Sequence, residues 1–394
     1  MKKNLCLLYG IAFLQGMVFY SPAAVLYRQE AGLTVFQISV IESLSLLLCL
    51  LLEIPWGIVA DKIGYRSTMI LCCGFYFISK LIFWKAYTFS DFLLERVFLS
   101  FAVSGLSGVD TSLLYLSASP GSSQKAFGIY EGMGTAGLLS ASACFSLFLG
   151  EHYREAALLT AAAYGGALIC ALFLKDTRQK ENKNSLQKIN SERPAFCFLV
   201  RELITSVFCQ KYFFLFLAGA GLLSETIQTI TVFLNQLQYT ACELTAGTIA
   251  WLYILSQIFA MISPLSESLT KKLGLTGIVS CCFLFPALFC FLLASSKNPV
   301  CSAICILGVQ GFGALFQPLQ TELQNRQISS VSRASLLSIQ AMFLDLISAF
   351  LNPVFGWLAD RTLSSAFIAG GLFCSLGFLL FIFWYRKECH KKRW

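Results

Sequence analysis

Charge is scarce in this sequence. Only 13% of its 394 residues are Asp, Glu, Lys or Arg, against about 25% in an ordinary soluble domain, and 57% are hydrophobic. A soluble chain so apolar has too little polar surface to cover its core. Histidine is nearly missing as well, with His152 and His390 the only two. There is no pair of CxxC motifs, and most of the 16 cysteines (Cys49, Cys72, Cys73, Cys144, Cys170, Cys281, Cys282 and Cys290 among them) sit inside apolar runs, where a thiol serves as a small hydrophobe. A thiolate or imidazole zinc site and a disulfide framework are therefore disfavoured, and no metal or cofactor is expected. No GxxxxGK[ST] stretch occurs, so an ATP-driven pump would lack its phosphate cradle. A membrane enzyme would need a metal site or a nucleophile beside its base, and the two histidines, both outside the apolar runs, supply neither. No catalytic residue is assigned.

What fills the chain instead is hydrocarbon. Apolar runs fall at roughly 5–27, 37–60, 67–88, 92–116, 125–149, 153–174, 210–234, 245–268, 274–295, 300–326, 333–359 and 363–385. Each comes close to the 20 or so residues that cross about 30 Å of lipid. Lys2 and Lys3 precede the first run as in a signal peptide, but the run is too long for an h-region and is kept as a helix. The sequence thus predicts an all-α membrane protein of twelve transmembrane helices.

One long hydrophilic stretch, "KDTRQKENKNSLQKINSERP" from Lys175 to Pro194, divides the spans into two sets of six. The expected organisation is a six-helix bundle over 1–174, a cytoplasmic linker over 175–209, and a second six-helix bundle over 210–394 with a short basic tail. Ala195 to Ser206 mixes Phe, Leu and Val with Arg201 and Glu202 and is expected to lie on the membrane surface as a short helix. Basic residues fix the orientation, because positive loops remain in the cytoplasm. With the N-terminus inside, the cytoplasmic face receives Lys2, Lys3, Lys62, Arg66, Lys125, the central segment, Lys271, Lys272, Arg326, Arg333 and the tail. The other face receives Arg28, Lys85, Arg154, Lys297 and Arg361. A multi-pass protein of the cytoplasmic membrane with both termini inside is expected. The net charge of +8 follows from that bias and calls for no nucleic acid.

Between the second and third spans lies Gly57-Ile58-Val59-Ala60-Asp61-Lys62-Ile63-Gly64-Tyr65-Arg66-Ser67. This segment resembles the loop 2–3 signature of the major facilitator superfamily, and the six-plus-six layout extends the resemblance over the whole chain. Arg96, with Gly105 and Gly108 downstream, is similar to the family's fourth-helix pattern, although Phe101 stands where a glycine is common. In the second half the equivalent loop, Thr270-Lys271-Lys272-Leu273-Gly274, has no counterpart of Asp61. "NPVFGWLADR", Asn352 to Arg361, repeats the Pro, Gly, Ala-Asp, basic order on the other membrane face, as inverted three-helix repeats would.

The resemblance implies a gate. Gly57, Asp61, Lys62, Gly64 and Arg66 are its expected members: Asp61 would meet the N-terminal end of the eleventh helix, near Ser332 and Arg333, only when the cytoplasmic side is closed, and Arg66 would order the loop. Free N–H groups and a partial positive charge at a helix start stabilise such a carboxylate by about 0.3–1 kcal/mol. The plainer reading, in which these charges only end the helix and set topology, remains beside it.

Polar residues recur at helical spacing in the spans that the resembled fold places around a central cavity. The fourth carries Ser100, Ser104, Ser107, Thr111 and Tyr115; the seventh Ser224, Gln228, Thr231 and Asn235; the tenth Gln310, Gln317, Gln320, Thr321 and Gln324; the first Gln15 and Tyr20. Expected cavity residues are Gln15, Tyr20, Ser104, Thr111, Gln228, Thr231, Asn235, Gln310, Gln317 and Thr321. Interhelical hydrogen bonding is the alternative, stronger for a single Ser or Thr than for the glutamine series, whose amides are costly against lipid. Acids embedded in spans are expensive unless paired, solvated or neutral, and desolvation favours the protonated carboxyl. Glu225 and Asp345, followed by Asp110 and Glu131, are the expected proton-coupling residues. Lys80, Arg96 and Glu42 share a depth and are read as an internal pairing; Glu53 and Glu322 are gate partners or interfacial charges in equal measure.

The implied activity is secondary active transport of a small organic solute by alternating access, coupled to protons, with lipid as surroundings and the monomer as working unit. Export of amphipathic compounds is placed slightly ahead, although the fifth span has Gly128, Gly132, Gly134 and Gly137 without the proline common in antiporters. The alternative is uptake of a neutral polar nutrient such as a sugar. A receptor or scaffold that does not transport comes third.

Overall fold

A computed structural model describes residues 2–117, 123–175, 211–326 and 333–389. Within them the chain is helical, with eleven helices long and apolar enough to cross a membrane and a shorter apolar helix, Ala246–Ala260. The shorter helix falls on the eighth expected span, so every apolar run of the sequence has a helix. The first span is Lys2–Gly16 continued, after a turn at Pro22, by Ala24–Glu30. The second is Val35–Ile63, the third Tyr65–Lys85, and the fourth Phe89–Leu106 with Val109–Ser117. Ser123–Cys144 and Tyr153–Leu172 form the fifth and sixth.

The seventh span is Lys211–Gln228, a wider-wound segment Thr229–Leu234, and Asn235–Ala241. The eighth ends early, at Ala260, because Pro264 cannot continue a helix and opens a new one instead. That helix, Leu265–Ser295, completes the eighth span and carries the ninth, turning at Gly274. Pro299–Arg326, Arg333–Arg361 and Leu363–Cys389 are the tenth to twelfth.

Two glycines show that the halves repeat each other in backbone as well as in sequence. Gly64, before the third span, has φ 89° and ψ 153°; Gly274, before the ninth, has φ 71° and ψ 165°. Only glycine adopts this region at low cost, so both turns need it. The loop that has lost its acid has therefore kept its turn.

The chain divides into two compact units, Met1–Leu33 with Leu44–Phe196, and Thr34–Ser43 with Cys197–Trp394. The first unit packs small and aliphatic residues, among them Leu8, Ile11, Met69, Cys73, Leu113, Leu114, Ala167 and Ala171. Its first and fifth spans touch backbone to backbone, and a Cβ on Gly137 would lie 2.1 Å from the Phe13 carbonyl oxygen. Small residues at helix contacts are the usual means of association where lipid removes the hydrophobic drive. The second unit is filled by rings: Phe216, Phe283, Phe316, Phe381 and Trp384 are fully buried and lie edge-on, tilted or stacked against one another. Leu379, Phe148 and Phe350 are among the many large apolar side chains left exposed, as a lipid-facing surface requires. The expected linker and its surface helix lie outside the described residues.

Candidate functional site

In the second unit the seventh span brings Glu225 to the inside of the bundle, where it is 1% exposed. Thr229, one turn on, donates from Oγ1 to Glu225 Oε1 at 2.9 Å, and Ser348 of the eleventh span faces the same carboxyl group. Oε2 has no hydrogen-bond partner, and the charged group acting on this acid is a second acid, Glu42. The carboxyl is thus withdrawn from water and, among the described residues, met by hydroxyl groups.

Neighbouring hydroxyls behave differently. Thr226 and Thr231 donate back to the carbonyls of Leu222 and Ile227, four residues earlier, whereas Thr229 turns its hydroxyl to the acid. Thr229 is also the first residue of the wider-wound segment, and such insertions are frequent at functional positions.

The polar stripe of the seventh span separates into two faces. Thr231 and Asn235 are buried, with Asn235 Nδ2 donating to the Thr231 carbonyl at 2.7 Å. Ser224 and Gln228, by contrast, are exposed. Ser224 Oγ donates to Gln320 Oε1 at 3.3 Å, which joins this face to the tenth span. There Gln317 and Thr321 are exposed and Gln310 is half-buried. The amide and hydroxyl groups of two adjacent spans therefore form one uncharged polar strip. Asp345 is half-buried, one turn before Ser348.

The first unit divides its stripe in the same manner. Ser104 donates to the Cys49 carbonyl at 3.2 Å, and Ser100 pairs with Ser45 at 2.8 Å, so these two join the fourth span to the second. At the break, Ser107-Gly108, the phase changes, and Ser107, Thr111 and Tyr115 are exposed. Gln15 is half-buried with Nε2 directed at Cys73 Sγ, 3.6 Å away, and its backbone carbonyl accepts from the Tyr164 hydroxyl at 2.8 Å. Asp110 accepts the Thr111 N–H at 2.6 Å; Tyr130 hydrogen-bonds to it, and Glu131, exposed, acts on it from the fifth span. The expected acids of the fourth and fifth spans are thus neighbours.

The embedded cations Lys80 and Arg96 share a partner that was not among the expected pairings. Glu95, 1% exposed, forms ion pairs with Lys80, 3.6 Å from Oε1, and with Arg96, 3.4 Å from Oε2. Lys80 Nζ also donates to Tyr20 Oη at 3.1 Å and lies over the Tyr164 ring. Tyr20, an expected cavity residue, is consequently buried and stacked on Phe83.

At the loop between the second and third spans, Arg66 donates to the carbonyls of Leu174 at 2.6 Å and Leu172 at 3.2 Å, capping the end of the sixth span. Gly57 is half-buried and Lys62 exposed. Ser332 and the side chains of Asp61 and Arg333 lie outside the described residues. Among the described residues no group of His, Cys, Asp or Glu could hold a metal ion.

The family model described as Major Facilitator Superfamily matches residues 5–327. No curated protein sequence matches the chain. Among solved structures, a point mutant of the nucleoside transporter NupG is similar with a TM-score of 0.79 at 16% identity, covering 96% of this chain and 99% of its own. A POT family transporter in complex with a thioalcohol-conjugated peptide gives 0.73 at 14% identity, over 98% and 96%. A bacterial homolog of the human lysosomal transporter Spinster gives 0.69 at 15% identity, over 98% and 95%. At these identities the likeness is one of fold.

Proposed function

Because this chain belongs to the major facilitator superfamily, a family of transporters and not of enzymes, we propose that it is a secondary active transporter that moves a small organic solute by alternating access and draws on protons carried by Glu225. The supporting observation is the environment of that carboxyl group: buried, met by Thr229 and Ser348, and with one oxygen unpaired. A carboxylate fixed to a cation would keep its charge, whereas this one has reason to gain and lose a proton as water reaches it. Asp345 and, within the first unit, the pair Asp110 and Glu131 are further proposed proton-coupling groups. The protein is placed in the cytoplasmic membrane with both termini inside, on the distribution of basic residues.

The uncharged strip of Ser224, Gln228, Gln317, Gln320 and Thr321 favours a neutral solute recognised by hydrogen bonds, a sugar or a nucleoside. Nucleosides are the cargo named for NupG. Export of amphipathic compounds has less support: the rings of the second unit are spent on its own core rather than on that strip. Asp61 is proposed as the latch of the cytoplasmic gate, with Arg66 holding the loop to the sixth span.

Purified protein in liposomes, given an imposed pH gradient and a panel of labelled sugars, nucleosides and amphipathic cations, tests the reading. Solute accumulation that follows the gradient in the native chain and is lost in Glu225→Gln is expected. Gradient-driven flux that survives in Glu225→Gln would remove Glu225 from the proton route, and the absence of any flux would remove the transport reading.

A further inference from the structure

The hexapeptide pattern G-x-x-A-D-basic occurs twice, at Gly57–Lys62 near the end of the second span and at Gly356–Arg361 at the end of the eleventh. The second copy has a visible partner. Val35 N–H donates to Asp360 Oδ1 at 2.8 Å and Phe36 N–H donates to Oδ2 at 3.0 Å, so the carboxylate caps the start of the second span with both oxygens. Gly356 allows the approach: a Cβ there would lie 2.4 Å from Ser39 Oγ and 2.9 Å from the Phe36 Cα. Arg361 stacks on Trp357 at 3.8 Å.

The second span does not need Asp360 in order to begin. Thr34 and Gln37 already form a reciprocal cap, Gln37 N–H donating to Thr34 Oγ1 at 3.2 Å and Thr34 N–H donating to Gln37 Oε1 at 3.0 Å. Asp360 takes the N–H groups this local cap leaves over, from a residue 325 positions away. A helix with its own cap survives loss of the remote one, and the remote carboxylate is exposed, so the bond is weak enough to be made and broken. The helix is also divided in its packing: Thr34–Ser43 groups with the second unit, and the rest with the first.

We infer that Asp360 is a gating residue, a releasable clasp that holds the first turn of the second span to the eleventh in one transport state and frees it in the other. It would act at the end of the helix opposite Asp61, so that one span carries a clasp at each end and the two are made alternately. The inference rests on the alternating-access reading above and adds to it a residue and a partner on the face opposite the proposed cytoplasmic gate.

Hydrogen exchange of the full chain in lipid nanodiscs, read by mass spectrometry without any solute, tests it. In Asp360→Ala, exchange at residues 34–38 should rise about fivefold, the size of a lost cap. Exchange at residues 64–68, beside the other clasp, should fall, and Asp360→Asn should give the same pattern at smaller amplitude. Gly356→Ala, which pushes the two spans apart with the carboxylate intact, should reproduce it as well. A change confined to residues 34–38 in all three variants would make Asp360 a plain helix cap and overturn the proposal, as would no change at either end. Vesicle flux is read separately, so a protein that transports but shows only the local change loses the clasp and keeps its function. One that shows the reciprocal change and a flux indifferent to the pH gradient keeps the clasp and loses the proton-driven reading.

Discussion

Glu95 and Glu225 are equally buried and are treated in opposite ways. The first unit sets Glu95 between Lys80 and Arg96, with Tyr20 completing the lysine's contacts. The second unit gives Glu225 two hydroxyl neighbours; Oε2 lacks a hydrogen bond in both acids, so the contrast lies in the cations beside Glu95. A carboxylate between cations is held charged, and its removal strands a charge in the bilayer. A carboxyl group among hydroxyls can change its protonation without leaving an opposite charge behind. Burial alone therefore does not mark a proton carrier; in the proposed function the partners make the distinction, with Glu95 serving the architecture and Glu225 the proton.

The largest effect should come from breaking the first arrangement. Glu95→Ala leaves Lys80 buried and poorly compensated, and a loss of roughly 3–5 kcal/mol in unfolding free energy is expected from such a cut. Thermal denaturation of the purified protein, followed by intrinsic fluorescence, would register it as a large fall in midpoint. An unchanged midpoint would mean that Glu95 is not what holds Lys80.

Removing both charges sharpens the same point. In Glu95→Gln with Lys80→Met no buried lysine is left without its acid, and replacing a buried pair by neutral groups is often close to neutral. The double variant should recover most of the stability lost by Glu95→Ala, leaving a deficit of about 1–2 kcal/mol for the contacts to Tyr20 and Arg96. A double variant as unstable as the single one would show that packing, not charge, sets the cost.

The contrast was only partly legible in the amino-acid sequence. Twelve spans could be read because hydropathy over about 20 residues is a long, redundant signal. The stop inside the eighth span was harder to see, since Met261 and Ile262 remain apolar and only Ser263-Pro264 announces it. Glu225 was visible as an isolated acid in an apolar helix. Glu95 was not, because it adjoins Arg96 in sequence and its lysine is on the previous span. A signal did exist: Lys80 and Glu95 lie seven and eight residues either side of Tyr87, which puts them at one depth in a helical hairpin. The split of each polar stripe into a buried and an exposed face was hidden by helix interruptions at Gly108 and Thr229, which shift the phase that a uniform 3.6-residue period assumes. The bond from Asp360 to the second span was beyond reach, since pattern repetition names a residue but not its partner.

Thr229 links the second arrangement to its helix, and its effect should be smaller. Thr229→Val keeps the shape and removes the hydroxyl, leaving Glu225 Oε1 short of its 2.9 Å donor. One buried hydrogen bond is worth about 1 kcal/mol, and that is the expected loss in the same denaturation experiment. The flux optimum should also move along the pH axis, because the acid would have lost a neighbour that discriminates between its two forms. A stability loss with an unmoved pH profile would make Thr229 a helix-packing residue only.

Glu225→Gln should change stability least of all, and for that reason it separates the two acids most sharply. A glutamine has the shape of the protonated carboxyl, keeps an oxygen to accept from Thr229 and places an amide where Oε2 had no partner. If the resting side chain is neutral, the exchange replaces one neutral group by another, and the denaturation midpoint should move by well under the value for Thr229→Val. Flux driven by a pH gradient should nevertheless vanish, while exchange of labelled solute across vesicles at equal pH continues, since that exchange needs the rocking motion but no net proton transfer. A strong destabilisation on this substitution would mean that Glu225 is held in an ion pair, as Glu95 is, and the difference drawn between the two units would disappear.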